Sequence, residues 1–335
     1  MTLSERNLIE HIRKNAATSS VNGLIKGIGD DCSVFGKSAT GAWLVSTDML
    51  VDGVHFNRKW HPPRLLGRKS IAVNLSDIAA MGGIPRFFLL SVSLPPQLSP
   101  EWLFQWLDGV SAMLSEYDCA LIGGDTVTGK EMNISVTVLG EQHPSGVIYR
   151  TGAGEGDTVY VSGPLGSSAA GLEILKKTGG WDAARIQHTW EVLINSHLDP
   201  IPQVRLGQVL CASGSVSAMQ DISDGLATDL SHICKESGVR AVIQEQRLPS
   251  LPVLDEVCQT LQLRRLDCIL RGGEDYQLVF CVRRGSEKDL EEYVKKSGNF
   301  AIYPIGTIEK GQGVFLEGRK ADRSEITFQG YEHLV

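Results

Sequence analysis

The sequence predicts α/β or mixed α+β layers, because strand-like and helix-like segments alternate along all 335 residues and glycine-rich turns punctuate them. This length accommodates two ordinary domains, each with its own core. The turn-rich stretch HPSGVIYRTGAGEGD at 143–157 is the candidate boundary and divides the chain into 1–148 and 149–335. With 42% apolar and 21% charged residues the composition is that of a soluble globular protein. A net charge of -7 with scattered basic residues excludes a nucleic-acid surface, which needs clustered Lys and Arg.

Residues 4–15 suggest an opening helix with Leu8, Ile9 and Ile12 on its apolar side. The loop GIGDDCSVF follows, and WLVSTD at 43–48 reads as a strand ending on polar residues. IAVNLSDIAAMGG at 71–83 reads as a buried amphipathic helix, with Ile71, Leu75 and Ile78 on one face and Asn74, Asp77 and Met81 on another. It stops at Gly82, Gly83 and Pro85. FFLLSVSLP at 87–95 is an apolar run of strand length. Ser99 is a predicted N-cap with Pro100 at the first helical position. Leu103, Trp106, Leu107, Val110, Met113 and Leu114 then recur at helical spacing, which places this helix on a sheet. A short strand runs into GGDT at 123–126, and MNISVTVLGE at 132–141 alternates as a strand does. Beyond the boundary come a strand TVYVSG, a helix SSAAGLEILKK, proline-bounded helices near 200–211, a strand SAMQDIS and a helix DGLATDLSHI. GGEDYQLVFCV at 272–282 begins as a loop and becomes a strand.

Seven cysteines, an odd number without a C-x-x-C pair, fit a reduced intracellular compartment. The amino terminus lacks the apolar core of a secretory signal, and no apolar run approaches about 18 residues. A cytoplasmic location without membrane contact is therefore expected.

The chemistry concentrates in aspartates set among small or hydroxyl-bearing residues: GDD (Asp30, Asp31), STD (Asp48), LSD (Asp77), GGDT (Asp125) and DISDG (Asp221, Asp224). Each alone reads as a turn or cap residue, but so many in one chain weaken that reading. Asp77 in a buried helix demands a cation, and converging carboxylates demand several. An all-oxygen set with Ser46 and Thr47 beside it points to hard ions, Mg²⁺ above all, together with substrate phosphates. Gly27, Gly29, Gly123, Gly124, Gly272 and Gly273 suit close approach of phosphate, although glycine turns also have purely steric causes. Neither G-x-x-x-x-G-K-[S/T] nor G-x-G-x-x-G occurs, so a nucleotide site here is metal-dominated. His55 has a structural reading and, near Asp48, a ligand reading. Arg150 either reaches phosphate as a bidentate donor or is solvated, and Glu274 with Asp275 either faces a ligand or caps a strand.

Through GIGDDC, STDMLVDGVHF, AVNLSDIAAMGG, LIGGDT, GDTVYVSG, DISDGLATDL, GGEDYQL and the terminal GYEH, the chain resembles the thiamine-monophosphate kinase family, within the superfamily typified by aminoimidazole ribonucleotide synthetase. The match spans nearly the whole chain and departs only in loops such as 179–190. The resemblance implies a ferredoxin-like amino-terminal α/β domain that pairs with its twin in a homodimer, and a larger α/β carboxy-terminal domain. It implies ATP-dependent phosphorylation of thiamine monophosphate to thiamine diphosphate with several Mg²⁺ ions. It assigns metal ligation to Asp30, Asp31, Ser46, Thr47, Asp48, Asp77, Asp125, Asp221 and Asp224, and ATP contact to Gly124, Asp125, Arg150 and Ser223. His55, Glu274 and Tyr331 would face the thiamine substrate, with no general base required. The rivals are another ATP-using enzyme of the superfamily, a Mg²⁺-dependent phosphatase, and a non-catalytic magnesium-nucleotide sensor. Selenophosphate synthesis would want a reactive cysteine in a glycine-rich loop, and Cys32 lacks that context.

Overall fold

The computed structural model describes residues 23–37, 41–180 and 187–332, together with Ile9. Apart from Ile9, the helix expected over 4–15 lies outside the described residues. The first sheet comprises β1 (Leu24–Lys26), β2 (Ser33–Lys37), β3 (Gly41–Val51), β4 (Ile84–Leu94), β5 (Ala120–Thr128) and β6 (Asn133–Glu141). Its order is β1-β2-β3-β6-β4-β5, antiparallel except for the β4–β5 pair at the edge. In β3 the strand period sends Ala42, Leu44, Ser46, Asp48 and Leu50 to one face and Trp43, Val45, Thr47 and Met49 to the other.

Against the first of these faces lies α1 (Pro63–Ala80), which starts eight residues before the expected position and has 13 of its 18 residues buried. A helix buried on nearly every side needs no strong amphipathic stripe, so the sequence pattern there reveals the helix better than its orientation. The next helix, α2 (Pro100–Glu116), is capped as expected: Trp102 N donates to Ser99 Oγ at 3.2 Å. Its buried residues pack chiefly on α1, whereas the spacing had suggested a sheet; Leu107 stays 40% exposed. Gly67 and Gly109 make this crossing possible. A Cβ on Gly109 would lie 1.9 Å from Arg64 O, and one on Gly67 2.0 Å from Trp106 O. Gly109→Ala should therefore lower the stability measured by urea unfolding by about 3 kcal/mol, the upper range for overpacking against rigid backbone.

The second sheet takes its strands from the rest of the chain: β7 (Thr158–Val161), β8 (Val216–Asp221), β9 (Arg240–Gln244), β10 (Leu278–Val282), β11 (Tyr303–Glu309), β12 (Gly313–Glu317) and β13 (Arg323–Glu325). Their order is β13-β12-β9-β11-β7-β10-β8, with β12–β9 parallel. The helices are α3 (Ser167–Thr178), α4 (Glu191–Leu198), α5 (Val204–Ser213), α6 (Leu226–Ser237), α7 (Val253–Leu261), α8 (Arg265–Arg271) and α9 (Glu287–Ser297). Two cores result. One joins the first sheet, through α1, to Tyr160, Met219, Leu278, Phe280 and Val282 on one face of the second; the other fills the opposite face beneath α3, α4, α6 and α7. Thus α1 touches both sheets, and residues near its carboxy-terminal end can meet groups from either half of the chain.

Candidate active site

That meeting point is a cluster of carboxylates. Asp31 comes from the loop before β2, Asp77 from the last turn of α1 and Asp221 from the end of β8. One ligand oxygen from each lies within 4.8 Å of the others. Hydroxyls fix their rotamers: Ser46 Oγ donates to Asp77 Oδ2 at 2.5 Å, and Ser76 Oγ donates to Asp221 Oδ2 at 2.6 Å. The second of these bonds ties the two halves of the chain together. Asp48 shares the inner face of β3 with Ser46.

Burial and mutual repulsion raise these acids. Asp48 is pushed to about 6 by burial and then by Asp31, and Asp221 to about 8 by the same two causes. Asp77 is held well above the carboxylate range by burial, Asp48 and Asp221. Among the described residues Arg150 answers them: its Nη2 donates to Asp31 Oδ1 at 2.5 Å. Asp31 Oδ2 is buried and has no hydrogen-bond partner among the described residues. Largely buried, all-oxygen, over-charged and with an orphaned acceptor, this set fits a hard divalent cation.

Asp30 takes a different role from its neighbour. Its carboxylate accepts from Arg150 N at 3.1 Å and pairs with Lys26 Nζ at 3.3 Å, clasping the GDD loop to the segment after β6. Among the described residues, then, Asp31 joins the triad and Asp30 does not.

Thr47 and Asp125 turn away from the triad. The Thr47 hydroxyl donates to Val136 O at 3.0 Å on the outer face of the sheet, although the residue still lines the cavity described below. Asp125 lies within exposed β5, in register with Ser91. Three strand spacings, roughly 14 Å along the sheet, separate β5 from β3. Gly124, next to it, has a structural cause: a Cβ there would lie 1.8 Å from Leu90 O across the parallel pair. Both β3 and β5 continue past the aspartates that were expected near their ends.

Beside the triad opens a cavity of about 830 Å³, lined by Asp48, Asp77, Asp221, Ser223 and Asp224 at its acidic side. His55, Glu274, Tyr276 and Tyr331 line it too, with Met49, Leu50, Val54, Val73 and Leu172 supplying apolar wall. His55 Nδ1 accepts from Val51 N at 3.0 Å, which orients the ring. Tyr331 N donates to Asp224 O at 2.8 Å, which anchors the carboxy-terminal GY segment at the cavity.

Sequence reasoning missed three residues. Asp229 is buried, and its Oδ2 accepts from the backbone amides of Ser223, Asp224 and Gly225 at 3.0–3.1 Å, fixing the DISDG loop before α6. Lys69 and His197 surround Glu274 from below: Lys69 Nζ lies 3.0 Å from Oε1 and His197 Nδ1 3.1 Å from Oε2. The Asp229 signal was present as an aspartate in the first turn of a helix. Nothing local marks Lys69 as buried. Cys32 is also buried, and burial together with Asp77 pushes its thiol well above the ordinary range.

Residues 29–142 match the family described as AIR synthase related protein, N-terminal domain, and residues 154–319 match the corresponding C-terminal domain. The chain is similar to the thiamine-monophosphate kinase of Aquifex aeolicus, 34% identical over 322 residues covering 96% of each chain. It is 39% identical to the Salmonella typhimurium enzyme of that name over 317 residues, 92% of each. A solved structure described as AaThiL complexed with AMPPCP and TMP superimposes with a TM-score of 0.81 at 32% identity, covering 97% of both chains.

Proposed function

Because the chain belongs to the thiamine-monophosphate kinases, a branch of the AIR synthase related proteins, we propose that it transfers the γ-phosphoryl group of ATP to thiamine monophosphate, giving thiamine diphosphate. The observation that carries this reading is the junction of a buried carboxylate triad with a partly apolar cavity large enough for an organic phosphate ester. The solved relative described as holding AMPPCP and TMP supports the same pair of ligands here.

The acceptor is a phosphate oxygen, already anionic at neutral pH, so the site needs no base. Bringing two phosphates together is the difficulty, and divalent ions supply the neutralising charge when bound. We assign their ligation to Asp31, Asp77 and Asp221, with Asp48 and Asp224 beside them; Ser46 and Ser76 hold two of the carboxylates in place. Arg150, which pairs with Asp31, is the guanidinium we assign to a phosphate of ATP. His55, Glu274 and Tyr331 are assigned to the thiamine end of the cavity. We assign direct in-line transfer without a phosphoenzyme, because the acceptor phosphate oxygen is itself the nucleophile and the clustered aspartates serve as cation ligands. Incubation with ATP and Mg²⁺, with and without thiamine monophosphate, tests this. Thiamine diphosphate should form only with the acceptor; phosphate release without it would instead indicate a phosphatase, and binding without turnover a sensor.

A second copy of the chain is the partner we assign to the outer face of the first sheet. Leu121, Ile122 and Val127 on edge strand β5 are exposed, as are Phe87 and Leu89 on the adjacent β4, and Ile122 is 56% exposed. A nine-residue edge strand that carries exposed Leu121, Ile122 and Val127 and that no other described residue pairs on its free side is an aggregation hazard that a twofold partner removes. Asp125 and Thr47 share this face, so a metal role for Asp125 would require that second copy. Light scattering should report a dimer for the native chain and a monomer for Ile122→Asp.

The same reading divides the chain at 148/149, between the two family matches. It also places the protein in the cytoplasm, which seven free thiols favour. Among the described residues no helix is long and apolar enough to cross a membrane.

A further inference from the structure

Below the cavity, two helical turns before Asp77 on α1, lies a second polar cluster outside the carboxylate triad. The Lys69 side chain is 0% exposed, a rare condition for an ammonium group. It stands 3.0 Å from Glu274 Oε1 and 3.1 Å from His197 O. The other oxygen of the same carboxylate, Oε2, is 3.1 Å from His197 Nδ1, which Ser168 Oγ also approaches at 3.1 Å. Both oxygens of Glu274 are therefore gripped from beneath, while its side chain keeps 22% exposure and lines the cavity. Its backbone carries φ +65°, a conformation that costs a non-glycine residue free energy, and its N–H donates to Ser223 O at 2.7 Å.

Stability alone is a weak account of such an arrangement. Replacing a buried ion pair by well-packed apolar groups is often neutral or stabilising. What the pair supplies here is a carboxylate of fixed orientation at a cavity wall.

We infer that Lys69, assisted by His197, is a positioning residue for the substrate: it keeps the Glu274 carboxylate charged and aimed at the cationic thiazolium ring of thiamine monophosphate. This rests on the kinase reading above. Burial by itself would raise the Glu274 acid; Lys69 and then His197 outweigh burial and hold it far below the usual carboxylate range. The titratable and charged groups facing Glu274 are Lys69 from α1 and His197 from α4, with His61 behind them and Asp275 and Tyr276 beside it in its own loop. His197 and His61 are themselves lowered by burial and by Lys69.

Lys69→Met removes that cation and leaves a buried carboxylate that titrates in the working range. The ratio of variant to wild-type KM for thiamine monophosphate cancels the substrate phosphate's own ionisation. It should rise about tenfold between pH 8 and pH 6, the effect of one unit of protonation, while the kcat ratio stays within about twofold. A purely structural lysine would change activity without creating this pH dependence, and a flat ratio would overturn the inference. A second comparison holds even if Lys69→Met folds poorly. In Lys69→Met/Glu274→Gln no charge is left unpaired, and if Lys69 acts only through Glu274 its KM should match that of Glu274→Gln within about twofold. A further tenfold loss in the double variant would show that Lys69 acts by another route. Failure of the kinase reading is separate and visible first, as a wild-type protein that forms no thiamine diphosphate.

Discussion

Asp77→Asn should reduce thiamine diphosphate formation by about a thousandfold or more while leaving the far-ultraviolet circular dichroism unchanged. The magnitude follows from the loss of electrostatic stabilisation at a transferring phosphoryl group, where a single well-placed group is worth about 10²–10³ and a charged ligand more. Asp77 is the central member of the triad: it interacts with Asp48, Asp221 and Asp31, and it projects from the helix that joins the two sheets. Asn keeps the shape and an acceptor for Ser46 Oγ, so the local packing survives. Removing one of several crowded negative charges should even stabilise the metal-free protein, which a thermal melt in EDTA would register as a higher midpoint. Near-normal turnover in this variant would refute the assignment of the triad to metal and phosphate.

Much of this site was legible because its residues obey local rules. Asp77 stood out as a carboxylate inside an apolar helix, and the structure gathers Asp31 and Asp221 around it, with Arg150 paired to Asp31. The Ser99–Pro100 start of α2 is pure capping chemistry and was readable as such. What local rules do not carry is the face a residue shows. Alternation along β3 separates Thr47 from Ser46 and Asp48, yet only the position of α1 says which face is inside. Asp30 and Asp31 are adjacent and chemically identical; the fold distinguishes them by turning one to the Arg150 backbone and the other to the triad. Lys69 escaped for the same reason, since its partners Glu274 and His197 are remote in sequence and meet it only through packing of the two halves. In the second sheet β9 pairs with β11 and β12, more than sixty residues away, so no short-range turn signal announces it.

The metal-free protein should lose stability as pH rises from about 5 to about 8.5, and Mg²⁺ should reverse most of that loss at the upper end only. Folded-state acids raised above their unfolded value stabilise the fold while protonated, and this contribution disappears as pH climbs through the raised value. Asp48 titrates at about 6 and Asp221 at about 8, both far above an unfolded aspartate, and Asp77 is displaced in the same direction. For Asp48 and Asp221 this stabilisation is complete below about pH 4 and is lost progressively as pH rises to about 6 and about 8 respectively; Asp77 acts in the same direction. Asp221 is buried and Asp48 and Asp77 are half-buried, so the total is on the order of a few kcal/mol, a fall of about 5–10 °C in the thermal midpoint measured in EDTA. Asp30 and Asp275, each pushed to about 6 chiefly by burial, add to the fall. Neither belongs to the triad, so the difference between EDTA and Mg²⁺ isolates the cluster. Glu274, held low by Lys69 and His197 against burial, titrates below this window and leaves it unaffected. A divalent ion binds the ionised triad and competes with its protons. At a hundred times its dissociation constant Mg²⁺ should restore about 2.7 kcal/mol near pH 8 and much less near pH 5. An equal Mg²⁺ effect at both pH values, or a metal-free protein that grows more stable towards pH 8.5, would contradict a cation site built on Asp31, Asp77 and Asp221.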